Sequence, residues 1–184
     1  NIIVVESKSK VDFIEEYSNK EIAQEQLNVC ITEVFANDNS KINDVWSKIT
    51  ADEQRNLLIR DDVINALDQG RYPLILTERR EHLEKLSALL KDKADFIAVL
   101  SGGLGKNKTR EIFEDLRVKH ANSRKVVLAT GSFIGEGFDE PRLDTLFITM
   151  PASFKGKIVQ YAGRLHRYHK DKSDIRIYDY VDSS

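Results

Sequence analysis

The chain has 184 residues, enough for one sizeable domain and too few for two independent enzymes. It is 41% hydrophobic and 32% charged, which is typical of a soluble globular protein. No apolar run approaches the roughly 20 residues that a membrane span needs, so we expect no membrane partner. The single cysteine, Cys30, excludes an internal disulfide framework and favours a reducing, cytoplasmic location. Residues 1–70 carry a net charge of −7 and residues 71–184 one of +5, which makes the second part the candidate for anions such as phosphate or nucleic acid. On charge alone, a solvated charged surface is the better explanation, because +5 is a small excess.

The first 70 residues predict an N-terminal segment of mixed strand and helix that packs on the sheet of the following part. Residues 2–5 and 27–35 are strand-like. Thr50-Ala51-Asp52-Glu53 resembles a capping box, in which Thr50 would open a helix that ends at Gly70. The inward residues of this helix are predicted to be Leu57, Leu58, Val63, Ile64 and Leu67.

Residues 71–184 alternate buried-type strands with amphipathic helices. The predicted strands cover residues 73–77, 95–100, 125–129, 144–149 and 175–181, and the predicted helices cover residues 78–91, 108–119 and 157–167. Apolar strands separated by helices are typical of a parallel sheet that is covered on both faces. The sequence therefore predicts a three-layer α/β/α domain with a mainly parallel sheet over residues 71–184.

The stretch from Gln160 to Arg167, Gln-Tyr-Ala-Gly-Arg-Leu-His-Arg, is the most informative for function. On one helix, Gln160, Arg164 and Arg167 would share a stripe at i, i+4 and i+7. Two guanidinium groups on one stripe suit an anion with several oxygens, such as the terminal phosphates of ATP. A solvated basic surface is the alternative for two arginines alone.

A second stretch follows a predicted strand, where an open parallel sheet binds its ligands. It contains Ala129-Thr130-Gly131 and then Gly135-Glu136-Gly137-Phe138-Asp139. The glycines allow a close approach of the backbone to a ligand, and the Asp139 carboxylate could accept a hydrogen bond from a ribose hydroxyl. A tight turn is the alternative reading of Gly135 and Gly137.

Together with Thr77-Glu-Arg-Arg-Glu-His-Leu83, these stretches resemble motifs IV, V and VI of superfamily 2 helicases, in the same order and at similar spacing. The resemblance covers about residues 71–184 and is to the second, C-terminal RecA-like domain. The branch that it resembles most holds DNA-repair helicases and the motor subunits of restriction enzymes. It implies a RecA-like fold, of the P-loop NTPase type, that lacks a Walker A motif of its own.

The resemblance also implies roles for individual residues. Arg164 and Arg167 match the arginine fingers that reach ATP and Mg²⁺ held mainly by an upstream RecA-like domain of the same polypeptide. The positions implied to contact the nucleotide are Gln160, Gly135, Gly137 and Asp139. Without that upstream domain, the chain alone is predicted to hydrolyse ATP negligibly.

The same resemblance implies a nucleic-acid contact at the carboxyl ends of the strands. Thr130 and Gly131 match the part of motif V that touches the backbone, and Thr77 lies where helix N-termini hold phosphates. The remaining candidates for this contact are Gly102, Gly103, Lys106 and Lys108. Glu136 stands where many RNA-specific DEAD-box relatives have arginine, which favours DNA over RNA.

Two other functions stay open at this point. The domain could be a nucleic-acid-binding or regulatory module that does not hydrolyse ATP. It could also be a phosphotransferase using Lys106, although Asn107 replaces the hydroxyl residue that a P-loop places after its lysine. We predict no metal site of the chain's own, because His166 and His169 lack an obvious third ligand.

Overall fold

The computed structural model describes residues 2–7, 39–119, 123–131, 133, 140–150 and 161–180. This part contains one six-stranded sheet in the order β1-β6-β5-β2-β4-β3. The strands are β1 (Ile2–Ser7), β2 (Pro73–Thr77), β3 (Phe96–Leu100), β4 (Lys125–Thr130), β5 (Thr145–Ile148) and β6 (Ile175–Tyr180).

Five of these strands run parallel, and β1 joins the edge antiparallel to β6. β2, β4 and β5 are buried along their whole length, whereas β6 alternates apolar residues with Arg176 and Asp179. All five strands predicted after residue 71 are present, with ends that shift by at most one residue. The prediction of a mainly parallel sheet is confirmed.

Four helices have their full bounds within the described residues: α1 (Asn39–Ala51), α2 (Glu53–Asp68), α3 (Arg80–Leu90) and α4 (Lys106–Glu114). A π-helical turn, Asp115–Lys119, continues α4, and residues 161–165 are also helical. Helix α1 was not predicted, although Ile42, Val45, Trp46 and Ile49 are spaced as one apolar stripe of a helix. The start of α3 was also predicted two residues early, before Arg79, which has extended backbone angles.

Two apolar cores lie on opposite faces of the sheet. One contains Ile59 and Val63 of α2 with Leu83 and Leu86 of α3. The other contains Leu116 and the helical residues Ala162 and Leu165. Helices therefore cover both faces, and the predicted three-layer α/β/α architecture is confirmed.

The N-terminus of α2 differs from the prediction. Asp52 is the N-cap, and its carboxylate accepts a hydrogen bond from the Arg55 amide at 3.1 Å, whereas the Thr50 hydroxyl donates to Ser47 O in the preceding helix. Leu57 and Leu58 were predicted to face inward but are 39% and 45% exposed. The stripe that faces the sheet runs instead through Asn56, Ile59, Val63, Ala66 and Leu67.

The segment 1–70 is closely joined to the rest of the domain. β1 extends the sheet itself, and α2 shares its core with α3. The predicted strand at 27–35 lies outside the described residues, and the division at residue 70 stays a prediction. None of the helices in the described ranges is long and apolar enough to cross a membrane.

Candidate functional site

The carboxyl ends of β2 and β4 lie side by side and form the centre of the candidate site. Thr77 pairs with Thr130 at the last position of the ladder, and the Gly131 amide donates to Thr77 O at 3.1 Å. These residues come from the predicted motifs IV and V. Parallel pairing thus brings together two stretches that are more than 50 residues apart in sequence.

Gly131 is packed against the carboxylate of Glu78. A Cβ atom at position 131 would lie 2.3 Å from Glu78 Oε1, which is far inside van der Waals contact. Glycine is therefore the residue that leaves room for the Glu78 carboxylate in its present position. Both residues line a small cleft at this edge of the sheet, together with Leu76, Thr77, Ile148, Met150 and Tyr161.

Tyr161 connects this strand end to the helix that carries Arg164. Its hydroxyl donates to Gly131 O at 2.7 Å, and its side chain is 5% exposed. Burial raises the pKa of Tyr161 to about 12; the negative charge of Glu78 adds to the rise and the positive charge of Arg164 opposes it. Glu78, Tyr161 and Arg164 therefore form one electrostatic group.

Arg164 lies on the helical segment 161–165, whose buried side is formed by Ala162 and Leu165, as predicted. Arg164 is half-buried and Arg167 is exposed. The helix ends earlier than the predicted residue 167. The Arg167 amide donates to Arg164 O, three residues back, so Arg167 stands in the closing turn and does not continue the helical stripe.

The end of this helix is held by a lysine further along the chain. The Lys172 ammonium donates to Leu165 O in the last turn, and also to Pro141 O and Leu143 O ahead of β5. Burial lowers the pKa of Lys172, whereas Asp144 and Glu140 raise it. A cation at a helix C-terminus is favourable because the last carbonyl groups are otherwise unsatisfied.

Thr77 faces the protein interior. Its side chain is 3% exposed, and its hydroxyl lies 3.0 Å from His82 Nδ1 and 3.2 Å from Met150 Sδ. The Arg79 amide donates to the same hydroxyl at 3.3 Å, which fixes the turn between β2 and α3. The threonine side chain thus organises the strand end from inside.

His82 extends this network to the N-terminus of α2. His82 Nε2 lies 2.8 Å from Asn56 Oδ1, and Asn56 Nδ2 donates to Thr50 O at 3.0 Å. Asn56 Oδ1 can only accept a hydrogen bond, so the neutral His82 ring donates to it from Nε2. The other ring nitrogen, Nδ1, then accepts a hydrogen bond from the Thr77 hydroxyl. Burial lowers the pKa of His82 to about 4, and the positive charges of Arg55 and Lys85 add to this. The ring is therefore neutral at pH 7.

Gly102 and Gly103 lie at the carboxyl end of β3, next to β4. The Leu104 amide donates to Ser101 O across this turn, and Gly103 has a φ of +91°, which glycine adopts without strain. Gly105 is the N-cap of α4, Lys106 is its first residue, and the Lys108 side chain is exposed. The loop and the start of α4 thus reach the same edge of the sheet as Thr130 and Gly131.

The structure brings together some of the predicted residues and leaves others untested. Thr77, Thr130 and Gly131 adjoin, and Tyr161 joins them to Arg164. The predicted nucleotide contacts Gln160, Gly135, Gly137 and Asp139 lie outside the described residues. Among the residues that the structure describes, no group of three histidine, cysteine or acidic side chains could hold a metal ion.

Sequence reasoning missed three residues of this site: Glu78, His82 and Tyr161. His82 had a detectable signal, because it precedes Leu83 on the apolar stripe of α3, where a polar side chain needs buried partners. The roles of Glu78 and Tyr161 depend on contacts between distant segments, for which the sequence carried no local signal.

The comparison with protein families decides the class. Residues 53–169 match the model of the family described as the helicase conserved C-terminal domain. The match covers more than half of the chain. The chain belongs to this family. With the observed fold, this makes it a C-terminal RecA-like domain of the superfamily 2 helicases.

The curated relatives are poxvirus proteins. The chain is 30% identical over 121 residues to the transcript termination protein OPG145 of monkeypox virus, covering 65% of this chain and 24% of the relative. It is 28% identical over 142 residues to the transcript termination protein A18 of fowlpox virus, covering 74% and 29%. The helicase domain thus spans about a quarter of the length of these relatives.

Solved structures share the fold at low identity. The crystal structure of T4 UvsW matches with a TM-score of 0.58 at 18% identity, covering 77% of this chain and 28% of that one. The C-terminal part of the Fun30 ATPase domain matches with a TM-score of 0.52 at 18% identity, covering 61% and 35%. The structure of S. cerevisiae Dbp5 bound to RNA and ADP BeF3 matches with a TM-score of 0.51 at 16% identity. The match covers 72% of this chain and 33% of that one.

Proposed function

We propose that this helicase domain is the second RecA-like half of an ATP-dependent nucleic-acid motor. The observation that carries the proposal is the hydrogen bond from Tyr161 to Gly131 O, because it joins the strand ends of the predicted nucleic-acid edge to residues 161–165, the arginine helix. The bond supports the proposal because Arg164 lies three residues after Tyr161 on the same helical segment.

In the proposed mechanism, Arg164 and Arg167 bind the phosphates of ATP, whose terminal phosphoryl group is transferred to water. The upstream domain of the full-length protein holds the nucleotide and Mg²⁺, and the two arginines reach it when the domains close. Their guanidinium groups suit this role because they stay charged and offer several donors to phosphate oxygens. An arginine finger is typically worth a factor of about 10³–10⁵ in rate.

The nucleic-acid backbone is proposed to run along the carboxyl ends of β2, β4 and β3. The lack of a side chain at Gly102, Gly103 and Gly131 would allow the nucleic-acid backbone to approach closely, and Lys106 and Lys108 would add positive charge. Thr77, whose hydroxyl is occupied inside the protein, is proposed to hold the strand end in place. Thr130 would contact the phosphates from the end of β4.

We propose that the nucleic acid is DNA, because Glu136 stands where many RNA-specific DEAD-box relatives have arginine. The relatives also make RNA a candidate, since the poxvirus proteins are named transcript termination proteins and the Dbp5 structure contains RNA. The assay that tests the function must therefore compare both nucleic acids.

The test is ATP hydrolysis by the full-length protein and by this chain alone, each with single-stranded DNA, with RNA and without nucleic acid. We expect turnover by the full-length protein that rises with DNA, and negligible turnover by the chain alone, because it lacks the phosphate loop. Stimulation by RNA and not by DNA would show that the nucleic acid is RNA and would leave the proposed motor function in place. Turnover of several per second by the isolated chain would contradict the proposal.

The alternative function is a nucleic-acid-binding or regulatory module without hydrolysis. It predicts that the full-length protein binds DNA with a steep dependence on salt but does not turn over ATP. The Arg164 side of the domain would then be only a basic surface.

A further inference from the structure

We propose that Tyr161 is a positioning residue that couples nucleic-acid binding to ATP hydrolysis. The inference rests on the proposed function and names the contact through which one half of the site acts on the other. Tyr161 touches neither ligand in this account. It acts through Gly131 on one side and Arg164 on the other.

The first step is the geometry of the bond. The Tyr161 hydroxyl donates to the main-chain carbonyl of Gly131 at 2.7 Å, and the phenol ring is buried among the apolar residues of one core. Gly131 is the residue directly after β4, and its amide is bonded to Thr77 O. The carbonyl that Tyr161 holds therefore belongs to the main chain that joins β4 to the proposed nucleic-acid edge.

The second step is the rigidity of the connection to Arg164. Tyr161 and Arg164 are three residues apart on one helical segment, which is a separation of about 4.5 Å along the axis. Ala162 and Leu165 anchor this segment in the core at 0% and 1% exposure, and Lys172 holds its last turn. A shift of Gly131 O would therefore move or release the helix that places Arg164.

The third step is the charge around the phenol. Glu78 lies against Gly131 on the strand side, and Arg164 lies on the helix side. A phosphate of bound nucleic acid near Gly131 would repel the Glu78 carboxylate and disturb the same contact. The Tyr161 hydroxyl thus lies where a backbone phosphate and the arginine helix can influence each other.

The experiment uses Tyr161→Phe in the full-length protein, because this change removes the hydroxyl and keeps the ring. Three quantities are measured well below the unfolding temperature of the variant: hydrolysis without nucleic acid, the Kd for single-stranded nucleic acid, and the stimulation of hydrolysis at saturation. We expect the stimulation to fall by about 3- to 10-fold, the factor that corresponds to one hydrogen bond, and to fall by more than hydrolysis without nucleic acid does. The control is Tyr168→Phe, which removes the same hydroxyl from a side chain that is 90% exposed.

The outcomes separate this inference from the proposed function. Stimulation of Tyr161→Phe at the wild-type level overturns the coupling role. An equal loss of basal and stimulated hydrolysis also overturns it, because a general packing defect lowers both rates equally. Arg164→Ala is measured beside it. If Arg164→Ala also hydrolyses ATP at the wild-type rate, the proposed function itself fails; if it is inactive while Tyr161→Phe behaves as wild type, only the coupling fails.

Discussion

At the scale of single residues, the site depends on a buried polar chain that sequence reasoning did not find. His82 is 0% exposed, and both of its ring nitrogens have partners, Thr77 on one side and Asn56 on the other. Protonation would remove the acceptor at Nδ1 and place a positive charge in a buried site near Arg55 and Lys85. The link between the strand end at Thr77 and the N-terminus of α2 is therefore strongest while His82 is neutral.

This arrangement predicts a dependence of stability on pH. The pKa of His82 falls from an ordinary 6.5 to about 4, so the unfolded chain binds a proton between these values that the folded chain does not. The contribution is complete above about pH 6.5 and is lost as the pH falls toward 4, at a cost of up to about 3 kcal/mol. Urea unfolding of the chain at several pH values measures it.

A matched pair of variants isolates the contribution of His82 to the pH dependence of stability. His82→Gln cannot titrate, so we expect its free energy of unfolding to be lower at pH 7 but flatter between pH 6.5 and 4. His169→Gln, on the surface loop after the arginine helix, should leave the steep wild-type slope in place. A slope in His82→Gln as steep as that of wild type would show that other groups carry the pH dependence.

At the scale of elements, the strands were predictable and the helix ends were not. β2, β4 and β5 were recognisable as short apolar runs because they are buried on both faces, and this pattern does not depend on which strands lie beside them. The end of the arginine helix depends on bonds to other parts of the chain, namely the three carbonyl groups that Lys172 joins. The cap of α2 was also misread, since Thr50 and Asp52 both have capping side chains and only the geometry selects Asp52.

The Lys172 contacts predict a stability effect. Lys172→Met keeps an apolar stem of similar length and removes the ammonium group, which leaves carbonyl groups at both the helix end and the 141–143 turn without their donor. We expect the free energy of unfolding to fall by about 2 kcal/mol. Lys170→Met is the control, because Lys170 is exposed, and it should change stability by less than about 0.5 kcal/mol. Equal stability of the two variants in denaturant unfolding would mean that Lys172 does not hold the helix end.

At the scale of the whole molecule, the proposed function makes this domain one half of a catalytic site. Glycine turns, strand ends and the start of α4 lie at one edge of its sheet, and the Tyr161 hydroxyl joins the arginine helix to that edge. The family match spans residues 53–169, and the chain covers about a quarter of the length of its poxvirus relatives. The lack of a Walker A motif could be read from the sequence, whereas the bond between Tyr161 and Gly131 emerged only from the fold.

The central claim is that the arginine side of this domain completes an ATP site on another domain. The most direct measurement is single-turnover hydrolysis of ATP by the nucleic-acid-bound full-length protein, compared between wild type and Arg167→Ala. The affinity for ATP is measured in parallel. Lys91→Ala, on the surface after α3, is the control. We predict that the hydrolysis step slows by about 10²-fold or more in Arg167→Ala while ATP still binds, because an arginine finger acts on the charge that develops during phosphoryl transfer. An unchanged rate in Arg167→Ala would contradict the account and leave Arg167 as part of a basic surface.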